Sequence, residues 1–256
     1  MHVDQVDSNE WGWTEAVSDT YALARWFKHF RVTDVTDALD AVGRQDLTLM
    51  DERIRPLWEG LRFWGPAVTV RALPANVRMP KLTAEDAVKS HAIWFAEHGR
   101  NEVGGAVKAG CVVVTSTDGV ETGIWGSNNS LDLVARGAVG VLTDGHARDT
   151  DELILQKTPV ACRGRGRTII PGRVIFTGVN EPIGCGGVLV RPGDIIGCDG
   201  DGCVVVPAEV VDDVVRIAKG ILLDDVVKRR KLYQRLGMAM DATVAVEEME
   251  AFYAGL

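Results

Sequence analysis

The sequence predicts an α/β sandwich with an added β-rich layer and helical ends, and three observations carry that expectation. Short β-branched runs, "GPAVTVRAL", "GCVVVTST", "GVLTD", "TPVAC", "RVIFTG" and "GCVVVP", are bounded by Gly, Pro and Asp, which is how strands are punctuated by turns. Between the earlier runs lie "TAEDAVKSHAIWFAEHG", "NNSLDLVARG" and "RDTDELILQ", whose apolar residues recur at helical spacing. Strands and helices therefore alternate first, and strands dominate afterwards. With 256 residues, 46% of them apolar, the chain can bury one substantial core with appendages.

Taken in order, residues 10–30 place Trp13, Val17, Tyr21, Ala24 and Phe27 or Lys28 at three-to-four-residue spacing, the rhythm of an amphipathic helix. "VTDVTDALDAVG" offers Thr36 or Asp34 as a cap, Val35, Leu39 and Val42 as an apolar face, and Gly43 as a stop. Residues 115–137, "TSTDGVETGIWGSNNSLDLVARG", read as strand, glycine loop, then helix, with Ser127, Asn128 or Asn129 able to cap. Val139, Val141 and Leu142 then make a strand end, Thr143-Asp144-Gly145 has turn chemistry, and the acidic start of "RDTDELILQ" suits a helix N-terminus. From Pro207 onward the periodicity is helical, and the basic run Lys228 to Lys231 reads as a solvated helix face. The expected division is an N-terminal helical extension over 1–32, a core over 33–215 and a C-terminal helical extension over 216–256.

Composition narrows the function. Lys and Arg number 28 against 36 Asp and Glu, a net charge of −8, and no basic run is interleaved with aromatics, so nucleic acid is not expected as a partner. No stretch approaches the apolar length of a membrane span, and "MHVDQVDSNEWGW" lacks the charged start and apolar core of a secretory signal, so a cytoplasmic location is expected. Cys111, Cys162, Cys185, Cys198 and Cys203 form no C-x-x-C pair and read as small buried hydrophobes.

The chemistry-bearing candidate is Arg148-Asp149, placed where a strand hands over to a helix, the position at which open α/β sheets receive ligands. An aspartate there can hold a hard divalent cation, and the adjacent guanidinium can fork onto a carboxylate or oxyanion. The loop at 115–137 supplies a second strand-to-helix junction whose backbone amides could face this pair across a pocket. His146, two residues before Arg148, is a further candidate for proton transfer, and Arg163, Arg165 and Arg167 alternate in a way that could receive a distal carboxylate.

Several motifs in fixed order carry a family resemblance: "VTDAL", "GPAVTV", "VVVTSTDG…GIWG", "GAVGVLTDGHARDTDEL", "TPVACRG" and "CGGVLVRPGDIIGCDGDGCVVVP". Over roughly residues 33–215 the chain resembles the RraA-like family, which contains metal-dependent 4-hydroxy-4-methyl-2-oxoglutarate / 4-carboxy-4-hydroxy-2-oxoadipate aldolases and ribonuclease-regulator proteins. The resemblance implies a swivelling three-layer β/β/α sandwich of the phosphohistidine-domain type, a homotrimer or hexamer, and an active site in a cleft between subunits. It implies that Arg148 binds the pyruvyl part of the substrate, that Asp149 ligates Mg2+ or Mn2+, and that Glu152 is the acidic residue three positions on. It assigns the backbone of Gly126, Ser127, Asn128 and Asn129 to the substrate carboxylate. At Ser127 the aldolase pattern has an acidic residue instead, for which Asp118 or Glu121 are candidate substitutes.

The activity so implied is cleavage of a carbon–carbon bond in a 2-oxo acid or diacid, by retro-aldol reaction or by decarboxylation of oxaloacetate, through a pyruvate enolate. Decarboxylation needs no proton abstraction, whereas aldol cleavage needs a base that the sequence does not identify. The alternative is a non-catalytic regulator that binds a partner protein such as a ribonuclease.

Overall fold

A computed structural model describes residues 19–98 and 100–256. Trp13 and Val17 lie outside the described residues. The rest of the first segment forms a short helix, α1 (Thr20–Ala24), a 3-10 turn over Arg25–His29 and then extended chain at Phe30.

The frame is a nine-stranded sheet. Its parallel centre is β2 (Phe63–Pro74), β3 (Val112–Ser116), β5 (Gly140–Ala147) and β6 (Val160–Arg165), with β4 (Gly123–Trp125) added in parallel to the far end of β5. Long β2 carries two antiparallel neighbours. β10 (Ile195–Asp199) pairs with its first half and β7 (Val174–Val179) with its second, the ladder shifting register between Arg71 and Ala72. β11 (Gly202–Val206) pairs antiparallel with β10.

The sheet curls almost closed, because residues 48–56 reach both of its edges. Leu49 bridges to Val204 of β11, the N–H of Met50 donates to Cys203 O at 3.2 Å, and β1 (Arg55–Pro56) pairs antiparallel with β6 at the other edge. A separate hairpin, β8 (Ile183–Cys185) and β9 (Val188–Val190), buries Ile183, Cys185, Val188 and Val190 against the inner face. Outside lie α3 (Ala84–Glu97), α4 (Arg100–Ala106), α5 (Ser127–Ala135) and α6 (Thr150–Leu155). Hairpin, curled sheet and helices are the three layers of a β/β/α sandwich.

Alternation along the valine-rich strands explains how one chain builds three apolar clusters. On β3, Val112 and Val114 face the hairpin while Val113 faces the helices, as a period of two requires. On β11, Val205 faces inward, whereas Val204 and Val206 face α2 (Val32–Ala41) and α7 (Val211–Leu236). Trp26, Phe27, Phe30 and Tyr253 complete that outer cluster, and the Tyr253 hydroxyl donates to Trp26 O at 3.0 Å.

Three local expectations change. Thr143-Asp144-Gly145 is no turn: β5 runs through it to Ala147, because buried Asp144 accepts from the Thr117 N–H at 2.8 Å and the Gly145 N–H is taken by Thr143 Oγ1 at 2.9 Å. Helix α2 starts earlier than Thr36 or Asp34. Its cap position is Arg31, whose N–H donates to Asp34 at 2.8 Å, while Asp199 accepts from the Val32 N–H at 2.9 Å. The cap position of α5 is Gly126, with no side-chain cap from Ser127, Asn128 or Asn129.

All five cysteines are free and buried. The basic run on α7 is a paired surface, with Lys228 on Asp224, Arg229 on Asp225 and Arg230 on Glu247. No helix among the described residues is long and apolar enough to cross a membrane.

Candidate active site

The site is built where β4 and β5 end side by side. The N–H of Arg148 donates to Trp125 O at 2.9 Å, which ties the end of one strand to the end of the other. Trp125 is buried, and its indole N–H donates to Thr115 Oγ1 at 3.0 Å, anchoring β4 to the sheet.

Asp149 then takes a left-handed conformation, φ 52° and ψ 42°, at the cap position of α6. That region is costly for a residue with a Cβ, though aspartate tolerates it better than most. The twist turns the carboxylate away from its own helix. It accepts instead from the Ser127 N–H at 3.3 Å, at the start of α5, and from Arg148 Nε at 3.2 Å. A loop-borne acid thus serves a neighbouring helix, whose first-turn N–H groups have no partner inside the helix.

Glycine makes this approach possible at two positions. A Cβ on Gly123 would stand 2.8 Å from both the Arg148 Cβ and the Thr168 carbonyl oxygen. One on Gly126 would collide with the Asp149 carboxylate and come within 3.0 Å of Arg148 Cγ.

The pair opens onto a cavity of about 270 Å3, lined by Gly123, Asn128, Asn129, Arg148 and Asp149, and closed by His91 and Phe95 of α3 with Ile169 and Ile170. About a third of each charged side chain, 35% for Arg148 and 36% for Asp149, is exposed. Guanidinium donors, carboxylate oxygens and a helix N-terminus therefore meet in one half-enclosed space, with an apolar wall opposite. Such a space can receive a small carboxylate and hold negative charge beside it.

The other sequence candidates fall elsewhere. The His146 ring lies against Gly164 of β6, 3.1 Å from where a Cβ there would stand, and does not line the cavity. Glu152 is exposed on the first turn of α6, also off the cavity wall. Asp118 lines a different cavity with Arg71 and Ser116, and Glu121 is exposed. Arg163 is drawn to Asp51 at 3.5 Å, while Arg165 and Arg167 are exposed. His91 and Phe95 were readable only as helix residues. Their i, i+4 spacing puts them on one face, but nothing local says that this face meets Arg148.

No three His, Cys, Asp or Glu side chains converge among the described residues. Asp149 is the one carboxylate on the cavity wall among the described residues, and its oxygens retain lone pairs beyond the two bonds described. A Mg2+-type cation fits such a donor set, since it keeps several waters and binds through one or two carboxylates and substrate oxygens. A closed zinc site of three or four nitrogen and sulfur ligands does not fit.

Residues 32–205 match the RraA-like family, described as Aldolase/RraA. The chain belongs to the RraA-like family. Among its relatives, a Halalkalibacterium halodurans protein provisionally named a 4-hydroxy-4-methyl-2-oxoglutarate aldolase is 31% identical over 209 residues, covering 80% of this chain and 86% of that one. Protein DlpA of Legionella pneumophila is 27% identical over 192 residues, 75% of this chain. The match spans just 28% of that much longer protein. The crystal structure of a Streptomyces coelicolor protein, described as an unusual member of the RNase ES inhibitor RraA protein family, shares the fold at a TM-score of 0.63. Its identity is 23%, over 86% of this chain and 98% of that one. Within the RraA-like family, one relative is thus named for aldolase chemistry and another for ribonuclease inhibition.

Proposed function

We propose that this RraA-like chain is a divalent-metal-dependent carbon–carbon lyase acting on 2-oxo acids through a pyruvate enolate, as a 4-hydroxy-2-oxo-acid aldolase, an oxaloacetate decarboxylase or both. The observation that carries the reading is the orientation of Arg148 and Asp149, side by side and open to one cavity with the start of α5.

The 2-oxo acid enters with its carboxylate toward the Gly126–Asn129 backbone, where helix-end N–H groups favour an anion. The Arg148 guanidinium donates to the 2-oxo oxygen and holds the negative charge that collects there as the carbon–carbon bond breaks. Asp149 would hold Mg2+ or Mn2+, which when bound would supply further positive charge against the enolate. The wall of Phe95, Ile169 and Ile170 limits water around the enolate. In this reading the chain acts as a homotrimer or hexamer, with small 2-oxo acids or diacids as its ligands and no nucleic acid or membrane partner.

Purified protein with Mg2+ or Mn2+ is expected to release pyruvate from oxaloacetate or a 4-hydroxy-2-oxo diacid, and Asp149→Ala to release none. Equal silence of both proteins on every such substrate refutes the lyase.

One observation favours a second reading, a regulator that binds a partner protein: with Ser127 at the α5 start, the cavity wall holds a single carboxylate among the described residues. That reading predicts that adding Mg2+ or Mn2+ changes neither melting temperature nor pyruvate release.

A further inference from the structure

We propose that His91 is a catalytic residue that carries the proton in the cavity of Arg148 and Asp149, an inference that rests on the lyase reading above. Among the described residues on the cavity wall, three can ionise: Arg148, Asp149 and His91. Arginine keeps its protons throughout. Asp149 is engaged by Arg148 and the Ser127 N–H, and in the lyase reading it also holds the cation. An imidazole is the side chain that both accepts and returns a proton near neutral pH.

Placement agrees with that role. His91 and Phe95 lie four residues apart on α3, so one helix face presents both to the cavity. Trp94, between them in sequence, is buried and holds α3 down, its indole N–H donating to Val174 O at 3.3 Å and its ring packing edge-on to His98 at 4.1 Å.

His91 also lines a second, open cavity on its far side, with Ser90, Pro171 and Arg173. His91 therefore borders both spaces. Among the described residues, the charged groups on the walls it shares are Arg148 and Asp149 in the first cavity and Arg173 in the second. It makes no hydrogen bond or ion pair among the described residues, which leaves both ring nitrogens free for substrate and water. The other described histidines near the sheet are committed, His146 against Gly164 and His98 on Trp94.

In the cleavage direction, neutral His91 takes the proton of the substrate 4-hydroxyl. The C3–C4 bond breaks, its electron pair passes into the enolate, and the 4-carbon leaves as a carbonyl. The imidazolium then returns that proton to C3, giving pyruvate and neutral His91. Decarboxylation of oxaloacetate uses neither transfer to break its bond, since carbon dioxide leaves without deprotonation and enolpyruvate can ketonise in water.

The test compares wild type and His91→Gln, each as the intact oligomer with Mg2+. Exchange of pyruvate methyl protons in D2O, followed by NMR, and cleavage of a 4-hydroxy-2-oxo diacid are both expected to fall about 100-fold or more. Oxaloacetate decarboxylation and inhibition by oxalate are expected to stay within about threefold, which shows in the same sample that the site is intact. Exchange at the wild-type rate overturns the role of His91 and leaves the lyase standing. Equal losses in exchange, decarboxylation and oxalate binding overturn it in favour of a packing role, as does a wild type that decarboxylates oxaloacetate yet exchanges no methyl proton. A wild type silent in every assay removes the lyase and this inference together.

Discussion

Helices α7 and α3 both cover the curled sheet, yet they are held in opposite ways. On α7, Val211, Val214, Val215, Ala218, Leu222 and Val226 are buried in the outer cluster, and Lys219 donates to the carbonyls of Tyr253 and Leu256 at 2.8 and 3.3 Å. On α3, Trp94 is the one buried residue among those whose side chains are described, and Ile93 is 55% exposed. The lightly held helix is the one that lines the candidate active site. Among the described side chains, α3 thus has fewer buried residues beneath it than α7 has, although it forms part of the cavity wall.

The contrast can be broken by four measurements. Arg148→Ala is expected to lower pyruvate release by about 100- to 1000-fold, the loss typical of one donor to a developing oxyanion, with little change in melting because the side chain is a third exposed. An unaltered rate would detach the cavity from the chemistry.

On the opposite side, Leu222→Ala is expected to cost about 2–5 kcal/mol in urea unfolding, since it empties a fully packed position. A loss under about 1 kcal/mol would show that α7 is no firmer than α3.

Asp194 links β10 to the entry of α7, accepting from the Arg191 N–H at 2.7 Å and the Ala208 N–H at 3.0 Å, and burial pushes its carboxyl up to about 6. The folded chain therefore holds that proton more tightly than the unfolded chain does. Its contribution is fully present below the usual carboxylate range and is lost as pH rises toward 6. Between pH 4 and 6 wild type should lose about 1–3 kcal/mol relative to Asp194→Asn, read as the difference between their melting curves against pH. The smallest effect is expected for Ile93→Ser, within about 0.5 kcal/mol, with α3 amides exchanging faster than those of α7.

The sheet was legible because its strands announce themselves through local composition. "GCVVVTST" and "GCVVVP" became β3 and β11, and the "VVV" run even divides its residues between two clusters. The Thr143-Asp144-Gly145 segment misled because turn propensity is local, whereas the bond from the Thr117 N–H to Asp144 spans 27 residues. At the site, adjacent Arg148 and Asp149 could be read, but the left-handed backbone that turns the acid toward α5 could not. His91 was illegible for the same reason: its place on the cavity wall depends on a helix meeting a loop 57 residues later.

Gly123 and Gly126 do more than admit one arginine. With no room for even a methyl group beside Arg148 and Asp149, the site is shaped by absent atoms, and alanine at either position would force the pair or the neighbouring backbone to shift. The placement of the pair therefore rests on both glycines, since a side chain at either one would meet it.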